Sequence, residues 1–337
     1  LLIIILIMIL FWALSIGTVK LPLEKIYFTI IEQLQSGTSI ETIGKGPVHD
    51  IIWLLRLPRL VLAAIVGCGL SVMWRHYAGY CQESLSRSLY FRYFFWCFFW
   101  GQQLQFYLVS VYLLAKILLE LPLLLVTFTI SLGVLFISNL GGRSNSIKLL
   151  LAGMALSSVC SAFSSFIVYF ANNKEGMQTI AYWMMGSFAG ARWDNLVIIA
   201  PLVIISVLFF WTQSRMLNLM LLGDESALTL GTDLHIYRQV YLLISSLIVG
   251  FVVYSAGMVG FVGLIVPHVI RMLVGTDHKK LIPVTALTGA LFLVIADGLC
   301  RVIIPRTELP IGILISLIGA PCFVYLMVKR SYGFGGN

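Results

Sequence analysis

The chain has 337 residues, of which 60% are hydrophobic and 11% are charged. Soluble domains usually carry roughly 25% charged residues, so a water-soluble fold cannot bury this much apolar surface. The net charge of +8 does not indicate nucleic-acid binding, because the basic residues stand singly at the ends of apolar segments and form no basic run. The composition therefore predicts an integral membrane protein that binds no nucleic acid.

Long apolar segments recur along the whole chain. Each is near the roughly 20 residues that a helix needs to cross the hydrocarbon core of a bilayer. Continuous apolar runs favour helices over a membrane barrel, whose strands alternate apolar and polar residues. We therefore predict an all-α polytopic membrane protein. The clearest segments are Leu1 to Val19, Leu60 to Val72, Leu149 to Phe170, Leu196 to Trp211, Val240 to Val259 and Ile282 to Ala296.

The sequence lacks the patterns of a cofactor site or an enzyme. Its six cysteines are scattered without metal-ligand spacing, and no GxxxxGK[ST] phosphate loop occurs. No HExxH motif, nucleophile elbow or pair of carboxylates inside an apolar segment is present either. We expect no bound metal or cofactor and no catalysis by this chain. If the protein uses ATP, another subunit must hydrolyse it.

Several motifs in the second half of the chain form a specific series. They are GFVGLIVPH at 260–268, GTDH at 275–278, ADGLCR at 296–301, ELPIG at 308–312 and GAPCF at 319–323. Upstream stand LLRLPRLVLA at 54–63, KLLLAGMAL at 148–156, YWMMGSF at 182–188 and LGDESALTLG at 222–231. In this order they resemble the FecCD-type permease family, the type II ATP-binding-cassette (ABC) importers of ferric siderophores, haem and cobalamin.

The resemblance implies an architecture and a function. It implies about ten transmembrane helices, as in other helical permeases that are built from segments of about 20 residues. It also implies a homodimer in the bacterial inner membrane, two cytoplasmic ATPase subunits that bind ATP and Mg²⁺, and a periplasmic or lipid-anchored solute-binding protein. The expected substrate is a metal chelate or a related anionic nutrient such as molybdate. The alternative is a secondary transporter or channel, which would need ion-coupling carboxylates near the midplane; the sequence offers Asp297 alone.

The segment Ser214 to Arg238 is the longest loop on the side that the resemblance makes cytoplasmic, and we call it the coupling loop. The resemblance implies that it contacts the ATPase through Gly223, Asp224, Glu225, Ala227, Leu230 and Gly231. The alternative is a solvated loop whose acidic residues cap a helix N-terminus.

Three arginines lie at the outer ends of helices if the family topology holds: Arg56, Arg59 and Arg301. Guanidinium groups suit bidentate pairing with carboxylates on a binding protein, so we expect these residues to dock it. The alternatives are anchoring to lipid headgroups and a structural ion pair between Asp297 and Arg301, one helical turn apart.

Two further sets of small or polar residues are candidates for transport roles. The turn Ser144, Asn145 and Ser146 matches the place where the family closes its cytoplasmic gate. On the following segment, small residues share one helical face, which either lines the translocation pathway or permits close helix packing. They are Gly153, Ser157, Ser161 and Ser164.

The interval from 72 to 126 departs from the family pattern. Residues 71–110 include fourteen aromatic side chains. Reading one nucleotide later from Met73 and Trp74, the segment Glu83 to Leu89 can encode Asn-Pro-Leu-Ala-Asp-Pro, and Phe94 to Phe98 can encode Ser-Ser-Gly-Ala. Both are family motifs that are otherwise missing here. We interpret the interval as a compensated frameshift in the recorded sequence, the alternative being a divergent region of a single permease domain that spans residues 1–337.

Resequencing the gene tests this interpretation. We expect the corrected reading to give Asn-Pro-Leu-Ala-Asp-Pro in place of Glu83 to Leu89, because two separate motifs appear in the right order in the shifted frame. An unchanged DNA sequence across this interval would contradict it.

Overall fold

The computed structural model describes residues 2–17, 22, 24, 26–29, 31, 46–80, 136–137, 151–152, 155–156, 158–159, 162, 166, 182, 185–222, 224–232, 234–304 and 308–329. Residues 81–126 of the aromatic-rich interval lie outside this set, so the frameshift stays a prediction. The described helices, in chain order, are α1 (Leu2–Ser15), α2 (Pro47–Asp50), a π-helical segment (Ile51–Arg56), α3 (Leu57–Tyr80), α4 (Trp193–Thr212), α5 (Ser214–Met220), α6 (Asp224–Thr229), α7 (Leu234–Ala256), α8 (Val262–Val274), α9 (His278–Cys300) and α10 (Ile311–Lys329).

Four of these helical stretches are long and apolar enough to cross a membrane: Val48–Met73, Trp193–Thr212, Ile236–Ala256 and His278–Cys300. Three shorter apolar helices accompany them, at Leu2–Ser15, Val262–Val274 and Ile311–Tyr325. Many aliphatic side chains on α1, α4 and α10 are exposed in the isolated chain. Such surfaces are stable in lipid, so the helices agree with the predicted polytopic fold.

Helices α3 and α9 form the centre of the described bundle. Their backbones meet at Gly67 and Gly289, where an added Cβ on either glycine would come well within 3.0 Å of atoms of the other helix. The Ser71 hydroxyl lies 2.7 Å from the Gly67 carbonyl oxygen and 3.1 Å from the Thr285 carbonyl oxygen of α9. Small residues thus allow a close helix crossing, the usual way in which membrane helices gain van der Waals contact.

The two ends of the bundle are built from different segments of the chain. At one end, the first amides of α10 are bonded by another segment: the amide of Ile311 donates to Gly186 at 3.1 Å and that of Gly312 donates to Met185 at 3.0 Å. The amide of Ser187 in turn donates to the carbonyl of Ala256, the last residue of α7, at 2.9 Å. These bonds satisfy donors that a helix start otherwise leaves free. We call this end, where α7 and α9 finish and α10 begins, the arginine end.

The coupling loop lies at the opposite end. Helix α4 finishes at Thr212 and α5 begins at Ser214, next to the start of α9 at His278. At 1.5 Å per residue, the 23 residues of α9 extend over roughly 34 Å, about the thickness of a bilayer. Helix α9 therefore connects the coupling loop with the arginine end.

Candidate functional site

Asp297 organises the arginine end. Its carboxylate is completely buried near the C-terminus of α9. The Arg59 Nε donates to Asp297 Oδ1 at 2.8 Å, and the Arg301 Nε donates to Asp297 Oδ2 at 3.0 Å, with Arg301 Nη2 contacting the same oxygen. Arg301 follows Asp297 by one turn on the same helix, whereas Arg59 comes from the first turn of α3. One carboxylate therefore joins the two central helices at the arginine end.

Glu308 completes this network from the segment before α10. The Arg59 Nη1 donates to Glu308 Oε2 at 2.6 Å. The Glu308 side chain is 44% exposed, whereas that of Arg59 is 10% exposed. The amide of the next residue, Leu309, donates to the Cys300 carbonyl at 3.2 Å and holds the chain close to the end of α9. Arg59 thus ties α3 both to α9 and to the entry of α10.

Arg56 occupies a separate position at the same end. Its Nη1 donates to the Leu14 carbonyl at 2.6 Å, near the C-terminus of α1. Gly17 leaves room for this guanidinium, because a Cβ there would lie 2.7 Å from Arg56 Nη2. Helix α1 is thereby fixed against the π-helical segment before α3. A carbonyl at a helix C-terminus carries partial negative charge, which suits a cation.

The three arginines therefore face inward in the isolated chain. Counted as whole residues, Arg56, Arg59 and Arg301 are 7%, 8% and 7% exposed. The ion pair between Asp297 and Arg301, weighed above as an alternative to docking, is present. Its extension to Arg59 was not predicted. The docking role stays a prediction, with one added condition. A carboxylate of a binding protein would have to share Arg59 with Glu308 or displace Glu308 from Arg59.

At the coupling end, a single side chain of α5 holds the start of α9. The Asn218 Nδ2 donates to Asp277 Oδ1 at 2.9 Å, and the amide of His278 donates to Asn218 Oδ1 at 3.0 Å. The His278 Nδ1 also contacts Asn218 Oδ1. Asp277 caps α9 by accepting from the amide of Lys279 at 3.1 Å.

The hydrogen bonds at this end also fix the charge of Asp277. Donation from Asn218, followed by donation from the amide of Lys279, lowers the pKa of the Asp277 carboxyl from its ordinary value. The carboxylate is therefore ionised at neutral pH. It favours the positive N-terminal end of the α9 dipole.

Helix α6 ends in a well-defined cap. Gly231 has φ of +81°, its amide donates to Leu228 at 2.9 Å, and the amide of Thr232 donates to Ala227 at 3.0 Å. These two bonds form a Schellman motif, which favours glycine at this position. Ala227 is fully buried against the bundle, whereas Leu230 is 64% exposed. The motif therefore turns Leu230 outward.

Part of the predicted site falls outside the described residues. Gly223 lies there, as do the gate residues Ser144, Asn145 and Ser146 and the pathway residues Gly153, Ser157, Ser161 and Ser164. Asp224 and Glu225 begin α6, in keeping with acidic residues in a first helical turn. The roles assigned to all of these residues stay predictions.

Sequence reasoning missed three residues with central contacts: Asn218, Asp277 and Glu308. Asp277 and Glu308 belong to the motifs GTDH and ELPIG, which served to recognise the family but were given no partners. Asn218 lies in LNLMLLGD at 217–224, where a lone asparagine between leucines gives no indication of its partner. The contact joins residues 60 positions apart, and a pattern within one segment cannot show it.

Long apolar helices, a fully buried carboxylate paired with arginines and a capped helical loop at the opposite end define a polytopic helical membrane protein. Comparison with known families then identifies it. Residues 101–329 match the FecCD transport family, and the chain belongs to that family.

Relatives of the chain are ABC transporter permeases. It is 32% identical to the hemin transport system permease of Yersinia pestis over 87% of this chain and 88% of that protein. It is 32% identical to an ABC transporter permease of Bacillus subtilis (strain 168), over 95% of this chain and 90% of that protein. A cobalamin import system permease of Halobacterium salinarum is 40% identical over 58% of this chain and 52% of its own length.

Solved structures confirm the predicted fold class. A metal-chelate type ABC transporter in an inward-facing conformation matches with a TM-score of 0.77 and 28% identity, covering 98% of both chains. A second match, to a complex of PsaBC from Streptococcus pneumoniae with a Fab, has a TM-score of 0.56. Its identity of 14% supports a shared fold and nothing further. The chain thus has the type II importer permease fold.

The buried network predicts that replacing its two carboxylates lowers the free energy of unfolding by different amounts. Asp297→Asn leaves two buried guanidinium groups without their carboxylate and should lower the free energy of unfolding by about 3–5 kcal/mol. The control Glu308→Gln removes a half-exposed carboxylate and should cost about 0–1 kcal/mol. Denaturant titration of the protein in detergent micelles measures both. Equal losses in the two variants would contradict the assigned geometry.

Proposed function

We propose that this chain is the membrane subunit of an ATP-driven importer for a metal chelate, with haem and cobalamin as the leading candidates. Membership of the FecCD transport family and similarity to permeases of hemin and cobalamin systems support this proposal. Neither molybdate nor a secondary transport mechanism finds support among the relatives named above. The proposed location is the bacterial inner membrane.

The exposed leucines of the coupling loop are the structural observation that supports an ATPase partner. Leu222, Leu228 and Leu230 are 61%, 53% and 64% exposed around α6. They lie between the membrane spans that end at Thr212 and begin at Ile236, where water rather than lipid would meet them. An exposed apolar patch in such a place indicates a protein partner. A partner ATPase subunit, which would bind ATP and Mg²⁺, fits this surface in the family architecture.

The remaining partners follow from the same architecture. A second copy of the chain would form a homodimer, with the substrate path between the copies. A solute-binding protein would dock at the arginine end. There, Glu308 is the half-exposed member of the charged network, so we propose that an acidic residue of the binding protein competes with Glu308 for Arg59.

Transport in proteoliposomes tests the function. The permease, its ATPase subunits and its binding protein should accumulate hemin or cyanocobalamin when ATP is present on the ATPase side. A matched control replaces ATP with a nonhydrolysable analogue and should show no accumulation. Uptake by the permease alone, driven by a proton or sodium gradient, would instead indicate a secondary transporter.

The leucine surface gives a more specific prediction. Leu228→Asp with Leu230→Asp should weaken association with the ATPase subunit by about tenfold or more, because each charge would be buried in an apolar contact. The control Ile303→Asp changes an equally exposed aliphatic residue at the arginine end and should leave this association unchanged. Co-purification from detergent with a titrated amount of ATPase subunit measures the difference. Equal recovery of the ATPase with both variants would remove the assignment.

A further inference from the structure

Asn218 uses its whole amide group to join α5 to the start of α9. The nitrogen donates to the Asp277 carboxylate, and the oxygen accepts from the amide of His278 and contacts the His278 ring. Because one side of the amide faces an acceptor and the other faces a backbone donor, its orientation is fixed. His278 is buried, with 2% of the residue exposed, so the joint extends from the surface into the bundle.

Most of the remaining contact between α5 and the bundle is apolar packing. Leu217 and Met220 are buried on α5 and pack against apolar neighbours. Apolar packing stabilises an approach of two helices but does not fix direction as hydrogen bonds do. A second polar anchor lies just before α5, where the Tyr241 hydroxyl of α7 donates to Gln213 Oε1 at 3.1 Å. Asn218 therefore directs the coupling loop onto α9.

Helix α9 can transmit a displacement across the membrane. It runs without a described break from His278 to Cys300, despite Pro283 in its second turn. It is packed on α3 through the close approach at Gly289 and is bound at its far end by Arg59. A movement of α5 is therefore passed to α9 as long as the Asn218 joint holds. A second bond to the start of α9 comes from the neighbouring α4, where Trp211 Nε1 donates to the Lys279 carbonyl at 3.0 Å.

We propose that Asn218 is a positioning residue that couples the ATPase-facing loop to α9, so that binding-protein docking at the arginine end is sensed by the ATPase. This inference rests on the proposed function. It assigns the transmission of the signal to a particular joint between Asn218, Asp277 and His278. The same helix would carry the opposite signal, from nucleotide binding to the arginine end.

Exchanging the amide and the carboxylate between Asn218 and Asp277 tests the proposal. Asn218→Asp places a second carboxylate against Asp277 and replaces the hydrogen bond with repulsion. Adding Asp277→Asn restores a donor and an acceptor in reversed order. The new asparagine can still cap α9, because asparagine is as good an N-cap residue as aspartate. Both variants keep the size of the side chains, so packing changes little.

The experiment measures ATP hydrolysis by the complete complex in lipid nanodiscs, with and without its binding protein. Asn218→Asp and Asn218→Ala should each reduce the stimulation by the binding protein about 5-fold or more, the size of a typical coupling between sites. The double variant Asn218→Asp, Asp277→Asn should recover it. The control Gln213→Ala removes the bond from the residue before α5 to Tyr241 of α7 and should keep the stimulation of the unmodified protein. Thermal unfolding of each complex, together with ATPase content, checks that all variants assemble.

The outcomes separate the two levels of the proposal. If the unmodified complex shows no stimulation by its binding protein, the proposed function fails whatever Asn218 does. If it is stimulated and the Asn218 variants respond equally, the role of Asn218 is refuted. An equal loss in the Gln213→Ala control, or a double variant that stays as deficient as Asn218→Asp, would also refute it. If the Asn218→Asp complex does not assemble, Asn218→Ala decides alone.

Discussion

A carboxylate without access to water must find its counter-charges inside the protein, and Asp297 finds them on two different helices. An ionised group in this position is costly unless it is paired and hydrogen-bonded. Arg301 is supplied by the next turn of α9, but Arg59 must be brought from α3. The requirement therefore fixes which helix ends meet, and much of the arginine end follows from it.

The rest of the described bundle is consistent with this constraint. Glu308 balances the charge that Arg59 adds, and its position sets the entry of α10 beside the end of α9. Further along the same helix pair, Gly67 and Gly289 let the two backbones touch. Replacing a buried ion pair by apolar residues is often neutral for stability. We infer that the network specifies the arrangement of helix ends more than it adds to stability.

The two ends of α9 make different connections. At the coupling end, the amide of Asn218 joins it to α5, and the loop that follows α5 carries exposed leucines. At the arginine end, charges join it to α3 and to the start of α10. Hydrogen bonds with an amide can exchange at low cost, whereas a buried charge cannot lose its partner without a large penalty. This difference places the adjustable joint at the coupling end.

The sequence predicted the membrane fold and the family, because both depend on local pattern: apolar runs and the order of short motifs. The ion pair of Asp297 and Arg301 could be predicted for the same reason, since the two residues are one turn apart in the sequence. The pairing of Arg59 with Asp297 and Glu308 joins residues more than 200 positions apart. Such contacts depend on how helices pack. The expectation that the arginines dock a binding protein did not include the carboxylates that helix packing brings next to Arg59.

The contact between Arg59 and Asp297 is tested most directly by a double-mutant cycle. Arg59→Met, Asp297→Leu and the combined variant would be compared by denaturant unfolding in the same micelles. The account predicts an interaction energy of about 1–3 kcal/mol, with the double variant more stable than the sum of the single losses would allow. Strictly additive losses would show that the two side chains do not interact, and would contradict the central position of Asp297.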